Sequence, residues 1–228
     1  MGPHPLWLAE SLTQLQVPAT GARVLDLGCG KALTSMFLAH EFGFQVTAAD
    51  LWIPAEENQL RINAAGMADS VEPIKAEAHS LPFEPASFDA IVSIDAYQYF
   101  GTSELYLAYL TRFLRPGGMI GIVVPGLAAE FEGEPPEHLR PWWEPDYWVF
   151  HSPLWWRRHW ERSGVVTVLE ADRVPDGWRL WLDWLEVCIS LNVPPLFPGH
   201  DGGAGEAAML EADAGGNLGF TRVLAVKT

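Results

Sequence analysis

The sequence predicts an α/β fold built on a doubly wound, mostly parallel sheet. Short apolar segments of strand length alternate along the chain with longer segments of helical spacing. Residues 88–94 form a near-continuous apolar run, which is typical of a strand covered on both faces. Strands joined by helices of this length favour right-handed crossovers and therefore parallel pairing. Hydrophobic residues make up 49% of the chain and charged residues 19%, a composition that supports a packed core.

Seven strands and seven helices are expected. The predicted strands are 23–27, 45–49, 71–75, 88–94, 119–124, 165–170 and 219–227. The predicted helices are 6–15, 31–42, 54–66, 102–114, 153–164, 176–191 and 207–212. Gly43, Gly66 and Gly164 are typical helix-ending residues, and the Gly-rich run near 199–205 predicts a loop.

We expect a single domain over residues 1–228. Its core is predicted at about 20–125, 165–172 and 217–228, and its N-terminal helix at 5–16. The remaining segments, about 126–164 and 173–212, are predicted to form a helical, tryptophan-rich cap, because nine of the 11 tryptophans fall between Trp142 and Trp184. Trp178 and Trp181 lie on one helical stripe and are expected in the core.

The net charge of the chain limits the classes of partner that it is expected to bind. A net charge of −15 with only 14 Lys and Arg argues against nucleic acid and against anionic membrane surfaces. No signal-peptide pattern and no apolar run near 20 residues is present, so we expect a cytoplasmic protein without stable membrane association. The two cysteines and seven histidines lack metal-ligand spacing, so no metal site is expected. A monomer or homodimer is expected.

A glycine turn and a carboxylate form the most informative pattern. Residues 24–32 predict a buried strand, a turn containing Gly28 and Gly30, and the start of a helix, and Asp50 follows the next strand. This arrangement holds the ribose of a nucleoside-containing cofactor in α/β sheets. The third glycine of the dinucleotide fingerprint is replaced by Leu33, so the turn lacks that feature of a pyrophosphate site. A methionine-bearing nucleoside needs no phosphate cradle and presents an ammonium group, which Asp26 would suit.

Further motifs follow in order. They are residues 77–83 (Glu-Ala-His-Ser-Leu-Pro-Phe), 87–89 (Ser-Phe-Asp) and 114–118 (Leu-Arg-Pro-Gly-Gly). Together with residues 24–30 and Asp50, they resemble the successive motifs of class I S-adenosylmethionine-dependent methyltransferases, most closely the type 11 small-molecule branch. The resemblance covers about residues 20–125. It departs at Ala32, where the family usually carries a third glycine; a methyl group there is expected to be tolerated.

The resemblance implies S-adenosylmethionine as the cofactor and a Rossmann-like methyltransferase sheet. It places the methionine moiety at Asp26, Gly28 and Gly30, the ribose at Asp50, the adenine at Leu51, Glu77 and Ala78, and the transferable methyl near Ile94 and Asp95. The alternative for Asp26 is a structural role in accepting loop N–H groups, which can coexist with cofactor binding. The alternative for Glu77 is an exposed loop carboxylate.

The catalytic site is expected beyond the carboxyl ends of the strands, where ligands bind in open α/β sheets. Methyl transfer depends mainly on positioning, and a general base is needed only if the acceptor must lose a proton. The candidates for catalysis are Asp95, Tyr97 and His79, with His151 more distant. The predicted substrate pocket is lined by Tyr97, Tyr99, Trp142, Trp143 and Trp148.

The expected function is methyl transfer by in-line displacement to a small-molecule acceptor. Aromatic walls in an acidic protein suit a cation, so the candidate acceptor is a small amine or another compact, partly apolar molecule. The alternatives are a lipid-directed or cyclopropane-synthase-like enzyme, a nicotinamide-dependent oxidoreductase, and a non-catalytic nucleoside-binding regulator.

Overall fold

A single seven-stranded sheet organises the chain in the computed structural model, which describes residues 2–194 and 203–228. The strands are β1 Arg23–Leu27, β2 Gln45–Asp50, β3 Val71–Lys75, β4 Phe88–Ile94, β5 Leu114–Leu127, β6 Val166–Arg173 and β7 Leu218–Lys227. Their order is β3-β2-β1-β4-β5-β7-β6. β1 to β5 pair in parallel, and β7 runs antiparallel to both β5 and β6. The predicted fold class is confirmed.

Helices cover both faces of this sheet. They are α1 Pro5–Thr13, α2 Leu33–Phe42, α3 Ala55–Ala64, α4 Tyr106–Leu110, α5 Pro153–Ser163, α6 Gly177–Ser190 and α7 Ala204–Asp213. The start of α5 follows from its sequence: the Ser152 hydroxyl accepts the Trp155 N–H at 3.2 Å, and Pro153 takes the first helical position. None of the helices in the described part of the chain is long and apolar enough to span a bilayer.

Two predicted elements need correction. The helix predicted over 102–114 is only α4 followed by a 3₁₀ turn at 111–113. β5 begins at Leu114 rather than at Met119, because residues 115–118 form a bulge between the pairs Phe88–Leu114 and Ala90–Met119. Gly117 adopts φ +72° within that bulge. The Pro-Gly-Gly segment is therefore part of a strand.

The loop predicted at 199–205 lies mostly outside the described residues, since 199–202 are not described. Gly203 is the residue before α7, and residues 204–205 belong to that helix. The predicted helix at 207–212 accordingly begins three residues earlier than expected.

The tryptophans divide between the two faces of the sheet. Trp156 and Trp160 on α5 are fully buried in the cluster that contains Leu25, whereas Trp181 on α6 is buried in a second cluster with Phe220. Much of the aromatic surface assigned to a cap is therefore core between helices and sheet. Trp178 is only half-buried. The domain boundaries given above remain a prediction.

Candidate functional site

The glycine turn after β1 is formed by two glycines with different roles. Gly28 adopts φ +77° and Gly30 φ +53°, a region that favours glycine. A Cβ at Gly28 would overlap the methyl group of Ala96, which follows β4. A Cβ at Gly30 would meet nothing within 4 Å. Gly28 thus allows two strand ends to approach, and Gly30 presents bare backbone to open space.

Asp50, at the end of β2, fixes this turn. Its Oδ2 accepts the Gly30 N–H at 2.8 Å, and its Oδ1 accepts the N–H groups of Trp52 and Ile53 at 2.8 and 2.9 Å. Three backbone donors therefore hold the carboxylate in one orientation. A carboxylate offers about four acceptor positions, so capacity remains for a further donor such as a hydroxyl.

Asn58 on α3 holds the other end of the same glycine, a role that the sequence reading missed. Its Nδ2 donates to the Gly30 carbonyl at 2.8 Å, and Arg61 Nη1 donates to its Oδ1 at 2.9 Å. The side chain is 1% exposed. The sequence pattern that could have indicated this role is a polar residue four positions before Ile62, on the buried face of a polar helix.

Asp26 lies fully buried on β1 directly before the turn. Its Oδ2 accepts the Ser35 hydroxyl at 2.6 Å, and its Oδ1 has no partner. Burial raises the pKa of this carboxyl to about 7. The observed partner is therefore a hydroxyl on α2, and the orphaned oxygen offers a place for a cationic group.

Ala32, where a glycine was expected by resemblance, precedes α2 with φ +59° and is fully buried. Its methyl group is accommodated, but the left-handed conformation of a residue with a Cβ costs about 1 kcal/mol. The first turn of α2 therefore carries some strain beside the glycines.

The residues predicted around adenine follow β2 and β3. Leu51 is exposed. The Ala78 carbonyl accepts the Tyr106 hydroxyl at 3.1 Å. Glu77 and His79 pair with each other, Oε1 to Nδ1 at 2.7 Å, and this bond lowers the pKa of Glu77. His79 is therefore bound to a neighbouring carboxylate at an exposed position.

The end of β4 carries the groups predicted near the transferable methyl. The Ile94 side chain packs in the buried cluster with Leu8 and Leu12 of α1. Asp95 follows with φ +55°. Its Oδ2 accepts the Gly2 N–H at 3.2 Å, and its Oδ1 accepts Gln98 Nε2 at 3.4 Å. Burial raises the pKa of Asp95 to about 6.

Tyr97 is not where a substrate contact was predicted. Its ring is fully buried against Trp156, Trp160, Phe100 and Tyr106, and its hydroxyl has no partner. The 3₁₀ turn at 97–99 points this ring into the core because the apolar cluster beneath it buries a large area. Tyr97 is thus a core residue in this conformation, which corrects its assignment as a catalytic and pocket residue.

Tyr99, two residues later, is 60% exposed, and its ring centroid lies 6.3 Å from that of Trp52. Partial burial and the nearby carboxylates of Asp95, Asp146 and Glu206 raise the pKa of Tyr99 to about 12. Residues near positions 52, 95–99, 146 and 206, which are far apart in sequence, therefore lie around this phenol.

Trp143 is the centre of the aromatic segment after β5. Its ring lies 5.5 Å from Phe131, 5.6 Å from Tyr147 and 5.5 Å from Trp148. Trp148 is exposed, and Trp142 is partly buried against the cluster of α6 and α7. The 3₁₀ turn at 145–149 brings Asp146 to Tyr99, so this segment borders the same region as Asp95.

His151, the more distant candidate, belongs to a structural stack. Its ring lies 3.6 Å from that of Trp155 at 5°, and its Nδ1 pairs with Glu130 at 2.9 Å. Across residues 2–194 and 203–228, no group of three potential metal ligands comes together.

Comparison with known proteins identifies a domain within the chain. Residues 24–118 match the model of a methyltransferase domain. Methyltransferase GfsG of Streptomyces halstedii is 31% identical over 120 residues, which are 50% of this chain and 42% of that protein. Demethylmenaquinone methyltransferase of Clavibacter sepedonicus is 35% identical over 124 residues, 54% of this chain and 48% of that protein. The chain thus matches less than half the length of these curated relatives.

The likeness in fold extends over almost the whole chain. The crystal structure of a putative sarcosine dimethylglycine methyltransferase from Galdieria sulphuraria has a TM-score of 0.75, with 23% identity over 98% of this chain and 85% of that one. The sheet order, the glycine turn closed by Asp50 and the matched domain agree with one another. Residues 24–118 are thus a methyltransferase domain, and they lie in the kind of sheet expected from the resemblance to class I S-adenosylmethionine-dependent methyltransferases.

Proposed function

We propose that this protein transfers a methyl group from S-adenosylmethionine to a small-molecule acceptor. The observation that carries the proposal is the bare backbone of Gly30, clamped at both its N–H and its carbonyl and facing open space. The orphaned Oδ1 of Asp26 beside it fits the ammonium group of the methionine moiety. The residues present therefore fit this cofactor.

The cofactor supplies an electrophilic methyl group on a sulfonium sulfur, whose bond to that methyl breaks with the electron pair remaining on sulfur. Asp26 and Gly30 would bind the methionine moiety, and Asp50 would accept a ribose hydroxyl. Leu51, Glu77 and Ala78 would surround adenine. This division assigns the cofactor to the ends of β1 to β3, and it leaves the end of β4 for the acceptor.

Asp95 would act on the acceptor. An amine that arrives protonated must lose a proton before its nitrogen can attack the methyl carbon. The raised pKa of Asp95, about 6, suits a carboxylate that takes this proton near neutral pH. The methylated product is then an ammonium ion, so charge and protons balance. The aromatic side chains of Trp52, Tyr99 and Trp143 would shape the pocket.

The proposal includes a cytoplasmic location, a small-molecule rather than nucleic-acid partner, no stable membrane association and a monomeric or homodimeric state. The net charge of −15 supports the statements on nucleic acid and on membrane association, because phosphate-rich surfaces repel such a protein.

Two measurements test the proposal. Calorimetry should show binding of S-adenosylhomocysteine and none of NAD; the opposite result would favour the oxidoreductase alternative. Incubation with methyl-labelled S-adenosylmethionine and small amines should then produce S-adenosylhomocysteine at a rate above that without acceptor. Binding without turnover across amines, alcohols and phospholipid vesicles would favour the nucleoside-binding regulator, and label in the lipid alone would favour the lipid-directed enzyme.

A further inference from the structure

Gln98 is a buried polar residue to which neither the sequence motifs nor the cofactor site gives a role. It is 1% exposed, and it lies in the 3₁₀ turn that follows Asp95. Its Nε2 donates to Asp95 Oδ1 at 3.4 Å, whereas its Oε1 is buried without any donor. A buried acceptor left unpaired is unfavourable, so this atom is a candidate to accept a hydrogen bond from a ligand.

A backbone donor already lies against Asp95. The Gly2 N–H donates to Asp95 Oδ2 at 3.2 Å, and Gly2 packs so closely on this carboxylate and on the Phe220 ring that a Cβ there would clash with both. The position beside Asp95 thus accepts an N–H group of the chain itself. Gln98, whose amide contacts the same carboxylate, adds a second acceptor that an N–H donor of a ligand would satisfy.

Three carboxylates act on this site, and the N-terminal ammonium group opposes them at Asp95. Glu206 raises the pKa of Asp95, after burial, and Asp95, Asp146 and Glu206 act in the same way on Tyr99. These carboxylates favour a cation and disfavour a carboxylate or phosphate group on the ligand. The ring faces of Tyr99 and Trp52 add a favourable surface for an ammonium group.

We propose that Gln98 and Asp95 together recognise the acceptor through an N–H-bearing, positively charged nitrogen that has no anionic group beside it. This proposal rests on the proposed function and narrows its substrate class. A hydroxyl carries one donor and no charge, so it satisfies at most one of the two acceptors. An anionic acceptor would be repelled by the three carboxylates.

Three probes with one skeleton test the proposal: 2-phenylethylamine, 2-phenylethanol and phenylacetate. Their binding to the full chain saturated with S-adenosylhomocysteine is measured by ligand-observed NMR titration. The amine is expected to bind at least ten times more tightly than the alcohol, and phenylacetate is expected not to bind up to 10 mM. Equal or tighter binding of the alcohol or the acid, or no binding of any probe, overturns the proposal.

Gln98→Met keeps the length of the side chain and removes its oxygen. The variant should reduce the preference for amine over alcohol by about tenfold while leaving the affinity for S-adenosylhomocysteine unchanged. Gln59→Met, at a partly exposed glutamine on α3, is the matched control and should leave the preference intact. An undiminished preference in Gln98→Met contradicts the role of Gln98. If the unmodified protein fails to bind S-adenosylhomocysteine at all, the proposed function fails first, and the two failures are thereby distinguished.

Discussion

The Gly30 N–H donates to Asp50 Oδ2 at 2.8 Å, across a separation of 20 residues. The carboxylate assigned to the ribose is therefore also the group that sets the shape of the turn. Asp50→Ala should weaken S-adenosylhomocysteine binding by about 1–3 kcal/mol, or roughly 5- to 150-fold, because charge-assisted hydrogen bonds are lost.

Asp50→Ala should also lower the free energy of unfolding, since three backbone N–H groups lose their acceptor. Asp50→Asn is the matched control: it keeps one acceptor oxygen and should be intermediate in both measurements. Calorimetry and urea unfolding check the two effects separately. Unchanged affinity in Asp50→Ala would place the ribose elsewhere.

Gly28 and Gly30 should respond differently to the same added methyl group. Gly28→Ala is expected to destabilise the fold strongly, because its Cβ would overlap Ala96. Gly30→Ala meets no atom within 4 Å and should cost only about 1–2 kcal/mol of stability, from its left-handed backbone.

Gly30→Ala should nevertheless lose cofactor binding by tenfold or more, since the methyl group projects into the space assigned to the methionine moiety. Thermal unfolding with and without S-adenosylhomocysteine separates the effects. A folded Gly30→Ala variant that is stabilised by the ligand as much as the unmodified protein would contradict the assignment.

Asn58→Leu tests the clamp on the Gly30 carbonyl. Loss of the bond to the Gly30 carbonyl should weaken S-adenosylhomocysteine binding by about 2- to 13-fold, as expected for about 0.5–1.5 kcal/mol. The KM for S-adenosylmethionine should rise while kcat at saturation stays within twofold, because Asn58 acts by positioning the turn. Gln59→Leu, at the partly exposed neighbouring position, should change neither constant. A fall in kcat alone would argue against a positioning role.

Binding of the cofactor should depend on pH through Asp26. Its pKa of about 7 means that the free protein carries a neutral carboxyl below this pH. Pairing with an ammonium group needs the carboxylate, so affinity should fall as the pH drops from 8 to 6. Calorimetry at several pH values checks this, and Asp26→Asn should bind weakly with a flat profile. A pH-independent affinity in the unmodified protein would exclude Asp26 from the ammonium site.

The stability lost on substitution of a tryptophan by alanine should depend on how deeply that tryptophan is buried. Trp181→Ala should lose roughly 3–5 kcal/mol of stability, because this side chain is 2% exposed and packs on Phe220. Trp178→Ala should lose less, because this side chain is only half-buried although the sequence predicts it in the core. Trp143→Ala should change acceptor binding more than melting temperature. The reverse pattern would assign Trp143 to the core.

Local patterns predicted the parallel half of the sheet closely. β1, β3 and β4 begin and end at the predicted residues. For β4 the reason is that a strand buried on both faces leaves a near-continuous apolar signal. The bulge at 115–118 was missed, since Pro-Gly-Gly is equally typical of a turn between elements.

The site was harder to predict than the fold. Asp26, Gly30 and Asp50 meet as their motif suggested, because consecutive parallel strands end at one edge. The burial of Tyr97 and the roles of Asn58 and Gln98 depend on which way one side chain turns from a short helix. Tertiary packing determines the orientation of these side chains, and no periodic pattern in the sequence indicates it.

The position of β7 between β5 and β6 has a consequence for the order of folding. Within the described residues β6 pairs with β7 alone, although β6 precedes β7 by 44 residues along the chain. During synthesis, β1 to β5 can therefore associate before β6 has a strand to pair with. The fold is completed by one late strand inserted between two earlier ones, and a chain stalled before residue 218 would expose two unpaired strand edges.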